Sequence, residues 1–197
     1  MSRLTTLQID ALKEIANIGA GHAATALSHL LDSIVRLEAP KAELVGYEEL
    51  DAILGQGNVF AALDVDLHGD IPGHLVMFFD RQDAFEFVRL YLQRISGEVR
   101  LLDAVVENTL KEFGNVVASS YLGALAQLTG ANVVPSLPAI TYGSMRATLE
   151  ALLPPSACRD VFFVESTFTD RGKRICGHVV FVPDTGSLQP LFKAFGL

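Results

Sequence analysis

Two glutamate–asparagine pairs, Glu14 with Asn17 and Glu112 with Asn115, are the residues of this chain whose types and spacing could do chemistry. In a helix, with 100° and about 1.5 Å of rise per residue, positions 10, 14 and 17 fall on one face, and Glu and Asn lie about 4.5 Å apart along the axis. Asn108, Glu112 and Asn115 repeat that arrangement, with Asn108 in the place of Asp10. No histidine stands at corresponding positions in the two copies of this helical stretch, so neither pair is a nucleophile–base couple of the serine or cysteine kind. An asparagine amide both donates and accepts, so it can hold a water molecule in a fixed direction of attack. Phosphoryl transfer is a reaction in which placing the in-line water is a large part of the catalysis. A glutamate one turn away can form an ion pair with a lysine of a docked partner and fix the geometry. A single E-x-x-N is ordinarily just a solvated helix face. Asparagine is a middling helix former that competes for backbone hydrogen bonds, so its return in mid-helix argues that the amide is wanted.

The elements that carry these pairs form a repeat. A shift of 98 positions lays Leu12 on Leu110, Lys13 on Lys111, Glu14 on Glu112 and Asn17 on Asn115, and continues through Ala20, Ala26, Leu27, Leu30, Val35 and Pro40, the last falling on Pro138. Apolar residues at three- and four-residue intervals predict one long helix over residues 4–31, capped at Thr5 or Thr6, and a second from Val99 to about Leu128. Gly19 and Gly21, with Ala16, Ala20, Ala23 and Ala24, make a small-residue strip suited to close helix packing against Gly114, Ala118, Ser119 and Gly123. Gly19-Ala-Gly21-His-Ala-Ala24 also matches the dinucleotide fingerprint, but no strand precedes it, so the context that reading needs is missing.

Short alternating runs, Ala42 to Tyr47 and Val59 to Leu67, predict strands, and Pro40 and Pro138 read as markers at the start of a strand. A hairpin turns at His68 to Gly73 and returns through Phe79, followed by a helix from Asp83 to Arg94. Ser96-Gly97 is a compact break near the middle. Beyond it, Val133 to Tyr142 is extended, Val161 to Thr169 and Arg174 to Val182 form a hairpin, and Leu188 to Phe195 closes as a short helix. Gly73-His74 corresponds to Gly177-His178 at an offset of 104, so the second half carries about six extra residues, which we place in 143–159, with a short helix from Met145 to Leu153. The expected fold is α+β: one domain of two similar halves, about 1–97 and 98–197, related by an internal pseudo-two-fold, with two long helices packed on a largely antiparallel sheet.

Composition narrows the partners. Fifteen Lys and Arg against 23 Asp and Glu give a formal charge of -8 without a basic run, which disfavours nucleic acid and anionic membrane surfaces. No signal-peptide pattern opens the chain and no apolar run is long enough to span a bilayer, so the default location is cytoplasmic. Cys158 and Cys176 lack CxxC spacing and read as small buried hydrophobes, and the histidines at 22, 29, 68, 74 and 178 show no ligand spacing, so no metal held by the protein is expected. His74 and His178 read as satisfied strand histidines. An internally duplicated chain can bury its own symmetric interface, so a monomer is expected.

At the residues described first, the chain resembles the CheC family of chemotaxis phosphatases. The family signature is a leading polar residue, three residues, Glu, two residues, Asn, twenty-two residues and Pro. Asp10, Glu14, Asn17 and Pro40 fit it, as do Asn108, Glu112, Asn115 and Pro138, with Asn108 where Asp or Ser is commoner. Two signatures resemble the CheC type, whereas the CheX type keeps one and FliY-type members carry a further domain. The resemblance implies hydrolysis of the aspartyl phosphate of a CheY-type response regulator, in chemotaxis or another two-component pathway. Glu14 or Glu112 would contact the regulator's lysine, Asn17 or Asn115 would orient the attacking water, and Mg²⁺ would belong to the regulator. It also implies the receptor deamidase CheD as a partner, with Met145 to Leu153 as the candidate contact. A binding module that sequesters a regulator, or regulates CheD without turnover, is the competing reading.

Overall fold

The first long helical period in the sequence becomes α1 (Thr6–Leu31) in a computed structural model, which describes residues 4–46, 49, 50, 53, 60–95, 103–152, 160–170, 172–184 and 186–197. Thr5 is its N-cap. The Thr5 hydroxyl accepts from the Gln8 N–H at 3.3 Å, and the Gln8 side chain accepts from the Thr5 N–H at 2.9 Å, so two of the orphan donors at the helix start are satisfied reciprocally. Asp32, with φ 44°, ends the helix in the left-handed region. The buried stripe runs through Leu12, Ile15, Ala16, Ala20, Ala23, Leu27 and Leu31. Leu27 and Leu31 are fully buried, each stabilising by roughly 2 kcal/mol.

The remaining elements are β1 (Val35–Gly46), β2 (Phe60–Gly69), β3 (Gly73–Asp80), α2 (Arg81–Ile95), α3 (Asp103–Thr129), β4 (Val133–Pro135), β5 (Ala139–Gly143), α4 (Met145–Leu152), β6 (Asp160–Asp170), β7 (Lys173–Pro183) and α5 (Leu188–Ala194). They form a mixed helix and antiparallel-sheet fold, as the periodicities predict. The Ser96-Gly97 break and Cys158 lie outside the described residues.

The sheet is antiparallel throughout, in the order β1-β6-β7-β3-β2-β4, with β5 also on β2. The two hairpins, β2–β3 and β6–β7, meet at its centre through the β3–β7 ladder. Neither takes its outer strand from its own part of the chain: β1 pairs with β6, and β4 and β5 pair with β2. Side chains alternate across a strand, so each strand feeds two cores. Leu63, Val65, Leu75, Met77, Phe162, Val164 and Val179 pack under α1 and α3, while Ala62, Val76, Phe78, Val161, Phe163 and Val180 pack on the other face with Leu50, Met145 and Leu149.

Three local expectations need correcting. Strand β1 begins at Val35 and contains Pro40, where the ladder to β6 shifts register between Glu38 and Lys41, because proline has no N–H to donate. Pro40 thus interrupts an edge strand instead of starting one, whereas Pro138, buried, immediately precedes β5 and stands at a strand entry as expected. Cys176 is exposed, not buried. The small-residue strip is used only in part: a Cβ on Gly19 would lie 2.8 Å from Tyr121 Cδ1 and 3.0 Å from Tyr121 Cα, Gly114 faces Leu63 and Met77 of the sheet, and Gly21 and Gly123 face open space.

These glycines make a paired prediction. Gly19→Ala should destabilise the chain by roughly 1–3 kcal/mol, because the buried Tyr121 must move, although alanine is the better helix former. Gly21→Ala should stabilise it by up to about 1 kcal/mol. Urea denaturation of the two variants measures both, and equal effects would contradict the close approach at Gly19.

Candidate functional site

Burial along α1 alternates in the way an amphipathic helix requires: Ala11, Leu12, Ile15 and Ala16 are buried, and Asp10, Glu14 and Asn17 between them are exposed. In α3, Thr109, Leu110, Phe113 and Gly114 are buried, and Asn108, Glu112 and Asn115 are exposed. All six candidate residues therefore stand on solvent faces of long helices, directly beside residues that are locked into the core.

The anchoring differs between the two helices. Phe113, between Glu112 and Asn115, packs edge to face with Phe79, Phe87 and Phe168, at ring separations of 5.2, 4.4 and 6.4 Å. Such pairs add roughly 0.5–1.5 kcal/mol beyond area burial. Leu12, Ile15 and Ala16 line an apolar cavity of about 50 Å³ together with Tyr121, Leu122 and Leu125 of α3, and Phe113 lines a smaller one of about 20 Å³. With Gly19 against Tyr121, that places the motif of α1 beside the C-terminal half of α3. Asn115 lies six residues before Tyr121, about 9 Å along the axis, and Glu112 and Asn108 lie further still. The two Glu–Asn pairs thus lie at separate, exposed places on the helix pair.

The structure also gathers polar residues that the sequence does not bring together. His74 Nδ1 lies 3.2 Å from Asp64 Oδ1 and 3.0 Å from Asp66 Oδ1. The hydrogen bond to Asp64 raises the His74 pKa, helped by the charges of Asp64, Asp66 and Asp184 and opposed by burial. Spacing along the chain hides this group. The available signal was the D-x-D pair on a predicted strand followed by a hairpin return, which sets His74 opposite Asp66. Its counterpart His178 behaves differently: it stacks on Phe163 with ring centroids 5.4 Å apart, and burial lowers its pKa, opposed by Glu165 and Asp80. Burial and the Asp83 charge push the Cys176 thiol up, so it is not held as a thiolate.

The geometry can be set beside known proteins. The model of the CheC-like family matches residues 7–44, the stretch holding Asp10, Glu14 and Asn17. Over 196 residues the chain is 31% identical to the CheY-P phosphatase CheC of Bacillus subtilis (strain 168), covering 96% of this chain and 94% of that one. The chain belongs to the CheC-like family. Its fold recurs in Thermotoga maritima FliY, which is 22% identical, with 100% of this chain and 98% of that one aligned and a TM-score of 0.78. It recurs again in the CheX–CheY–BeF3–Mg²⁺ complex from Borrelia burgdorferi, at 16% identity over 89% of this chain and 99% of the matched one, with a TM-score of 0.54. At those identities the likeness speaks to fold alone. No helix among the described residues is long and apolar enough to cross a membrane.

In this CheC-like chain His178 sets a pH limit on stability. Unfolded, its imidazole titrates near 6.5, and folded it titrates lower. As pH falls below 6.5 the unfolded state takes up a proton that the folded state resists, so the contribution is full above 6.5 and is lost toward the folded value. His178→Leu should flatten that acid-side loss. Urea melts of both proteins at about pH 7.5 and about pH 5.5 check it, and an equal drop in both would contradict it.

Proposed function

We propose that this CheC-like protein hydrolyses the aspartyl phosphate of a CheY-type response regulator at two sites, Glu14 with Asn17 and Glu112 with Asn115. The observation that carries the reading is that both pairs stand exposed on helix stretches whose neighbouring residues are buried. An amide on such a stretch enters a partner's active site in a defined direction, with little conformational freedom left to lose. The partner class is supported by the B. subtilis relative, a CheY-P phosphatase, and by the fold's presence in a CheX–CheY complex.

In the proposed step the Asn17 or Asn115 amide holds a water in line with the phosphorus. The water oxygen bonds to phosphorus, the bond from phosphorus to the aspartyl oxygen breaks, and its electron pair returns to the regulator's carboxylate as inorganic phosphate leaves. Glu14 or Glu112 pairs with a lysine of the regulator and sets the depth of docking, while Asp10 and Asn108 lead each motif at the rim of the contact. The Mg²⁺ that offsets the phosphoryl charge is the regulator's. Treating residues 1–97 and 98–197 as similar halves of one domain makes the two sites pseudo-equivalent. CheD gains no address from α4. Glu49, Leu50 and Ile53 are helical 98 positions before 147–151, and Leu50 packs in the same cluster as Met145 and Leu149, so α4 is not an addition peculiar to the second half.

Phosphate release from a phosphorylated CheY-type regulator with Mg²⁺ tests this. The Asn17→Ala, Asn115→Ala double variant should lose the acceleration, on the order of 10²-fold. Each single variant should keep a share near one half if the sites act independently. A double variant as fast as the unmutated chain overturns the water-positioning role. No acceleration by either protein makes the chain a binding module.

A further inference from the structure

The sheet face turned away from α1 and α3 carries donor atoms that the Glu–Asn sites do not use. Asp64 and Asp66 are two apart on β2 and share a face, the one from which Ala62 enters the second core. His74 stands directly opposite Asp66 in the β2–β3 ladder. Asp64 Oδ1, Asp66 Oδ1 and His74 Nδ1 all lie within 4.8 Å of one another. The strand beneath them is fixed, since the Asp66 N–H donates to Ser136 Oγ at 3.0 Å and the Asp66 carbonyl accepts from the Ser136 N–H at 2.8 Å.

Hydrogen bonding alone serves this group badly. The Nδ1 of His74 hydrogen-bonds Asp64 Oδ1 at 3.2 Å, which leaves Asp66 Oδ1, 3.0 Å away, as a charge contact only, and Asp184 adds a third negative charge to the surroundings of the imidazole. Among the described residues no lysine or arginine forms an ion pair with Asp64, Asp66 or Asp184. Nor does the sheet demand the arrangement. In the β6–β7 hairpin Glu165 stands opposite His178 as Asp66 does opposite His74, but the position two residues earlier, Asp64 in the first hairpin, is Phe163, whose ring stacks on the histidine. The fold accepts an aromatic ring where the first hairpin holds a carboxylate.

Ligands bonded at about 2.0–2.2 Å to one ion lie about 3.0–3.4 Å apart, which matches the separations from Nδ1 to both oxygens. One imidazole with two carboxylates suits borderline divalent ions better than Mg²⁺ or Ca²⁺, which favour all-oxygen shells. We propose that Asp64, Asp66 and His74 bind one divalent ion of the zinc class, with water completing the shell, on the side of the sheet opposite the Glu–Asn pairs.

Calorimetric titration of the chelator-treated full chain with Zn²⁺ should show saturable uptake of one equivalent, and Co²⁺ in its place should give visible d–d absorption. Asp66→Asn, at a half-exposed position that the fold tolerates, and His74→Gln should each weaken uptake at least about tenfold. His22→Ala, an exposed position on α1, should leave uptake unchanged. Circular dichroism verifies that each variant is folded, and Asp66→Asn alone suffices if His74→Gln is not. No saturable one-to-one uptake, uptake retained in the folded Asp66→Asn variant, or uptake lost with His22→Ala would each overturn the assignment.

Discussion

The apolar stripes of α1 and α3 must be buried on the same face of one sheet, and the placement of the candidate catalytic residues follows from that constraint. Once Leu12, Ile15 and Ala16 are turned inward, a period of 3.6 leaves Asp10, Glu14 and Asn17 no orientation except outward, and Leu110, Phe113 and Gly114 do the same for Glu112 and Asn115. The close approach of Gly19 to Tyr121 sets how α1 lies on α3. The contact also keeps the two motifs at different points along the pair of helices, so that the sites do not compete for one surface.

The sheet joins what the helices hold apart. Each central hairpin is completed at its outer edge by a strand from the other half of the chain, β1 on β6 and β4 with β5 on β2. Removal of either half would expose the unpaired ladder of the other half's hairpin, an arrangement that invites aggregation. A cross-completed sheet therefore ties the rigidity of one helix to the integrity of both halves. The two hairpins differ on the second face: one places a histidine beside carboxylates, and the other stacks His178 on Phe163.

Most of this architecture is legible in the residues themselves, because long helices and tight hairpins are specified locally. The periodicity from Leu4 to Leu31, the Thr5 cap and the turns at His68–Gly73 and Asp170–Lys173 all depend on neighbours within a few positions. What the sequence hides depends on partners far along the chain. Pro40 looks like the start of a strand until β6 is seen to run past it with a register shift. Gly21 and Gly19 look alike until Tyr121 is found against only one of them. Asp64 and His74 are ten apart, and only the hairpin register makes them neighbours. The Glu–Asn pairs were visible because a repeated polar pair has no packing explanation, whereas their separation along the helices could not be read without the contacts at Tyr121.

In the proposed reading, a positioned amide and a docking carboxylate leave most of the chemistry to the substrate. On that reading the acyl phosphate is already a reactive bond and the charge of its phosphoryl group would be offset by the regulator's own ion, so what would remain to be supplied is the placement of water. A rigid, exposed helix face serves that need better than a cleft, because the regulator's active site provides the walls. Such a face has to be held from behind. Phe113 among Phe79, Phe87 and Phe168 stands behind Asn115, and Leu12, Ile15 and Ala16 stand behind Asn17, with a small apolar cavity beside each. The two motifs are thus alike in the residues they present and differ in what packs behind them, aromatic rings in one case and aliphatic side chains in the other.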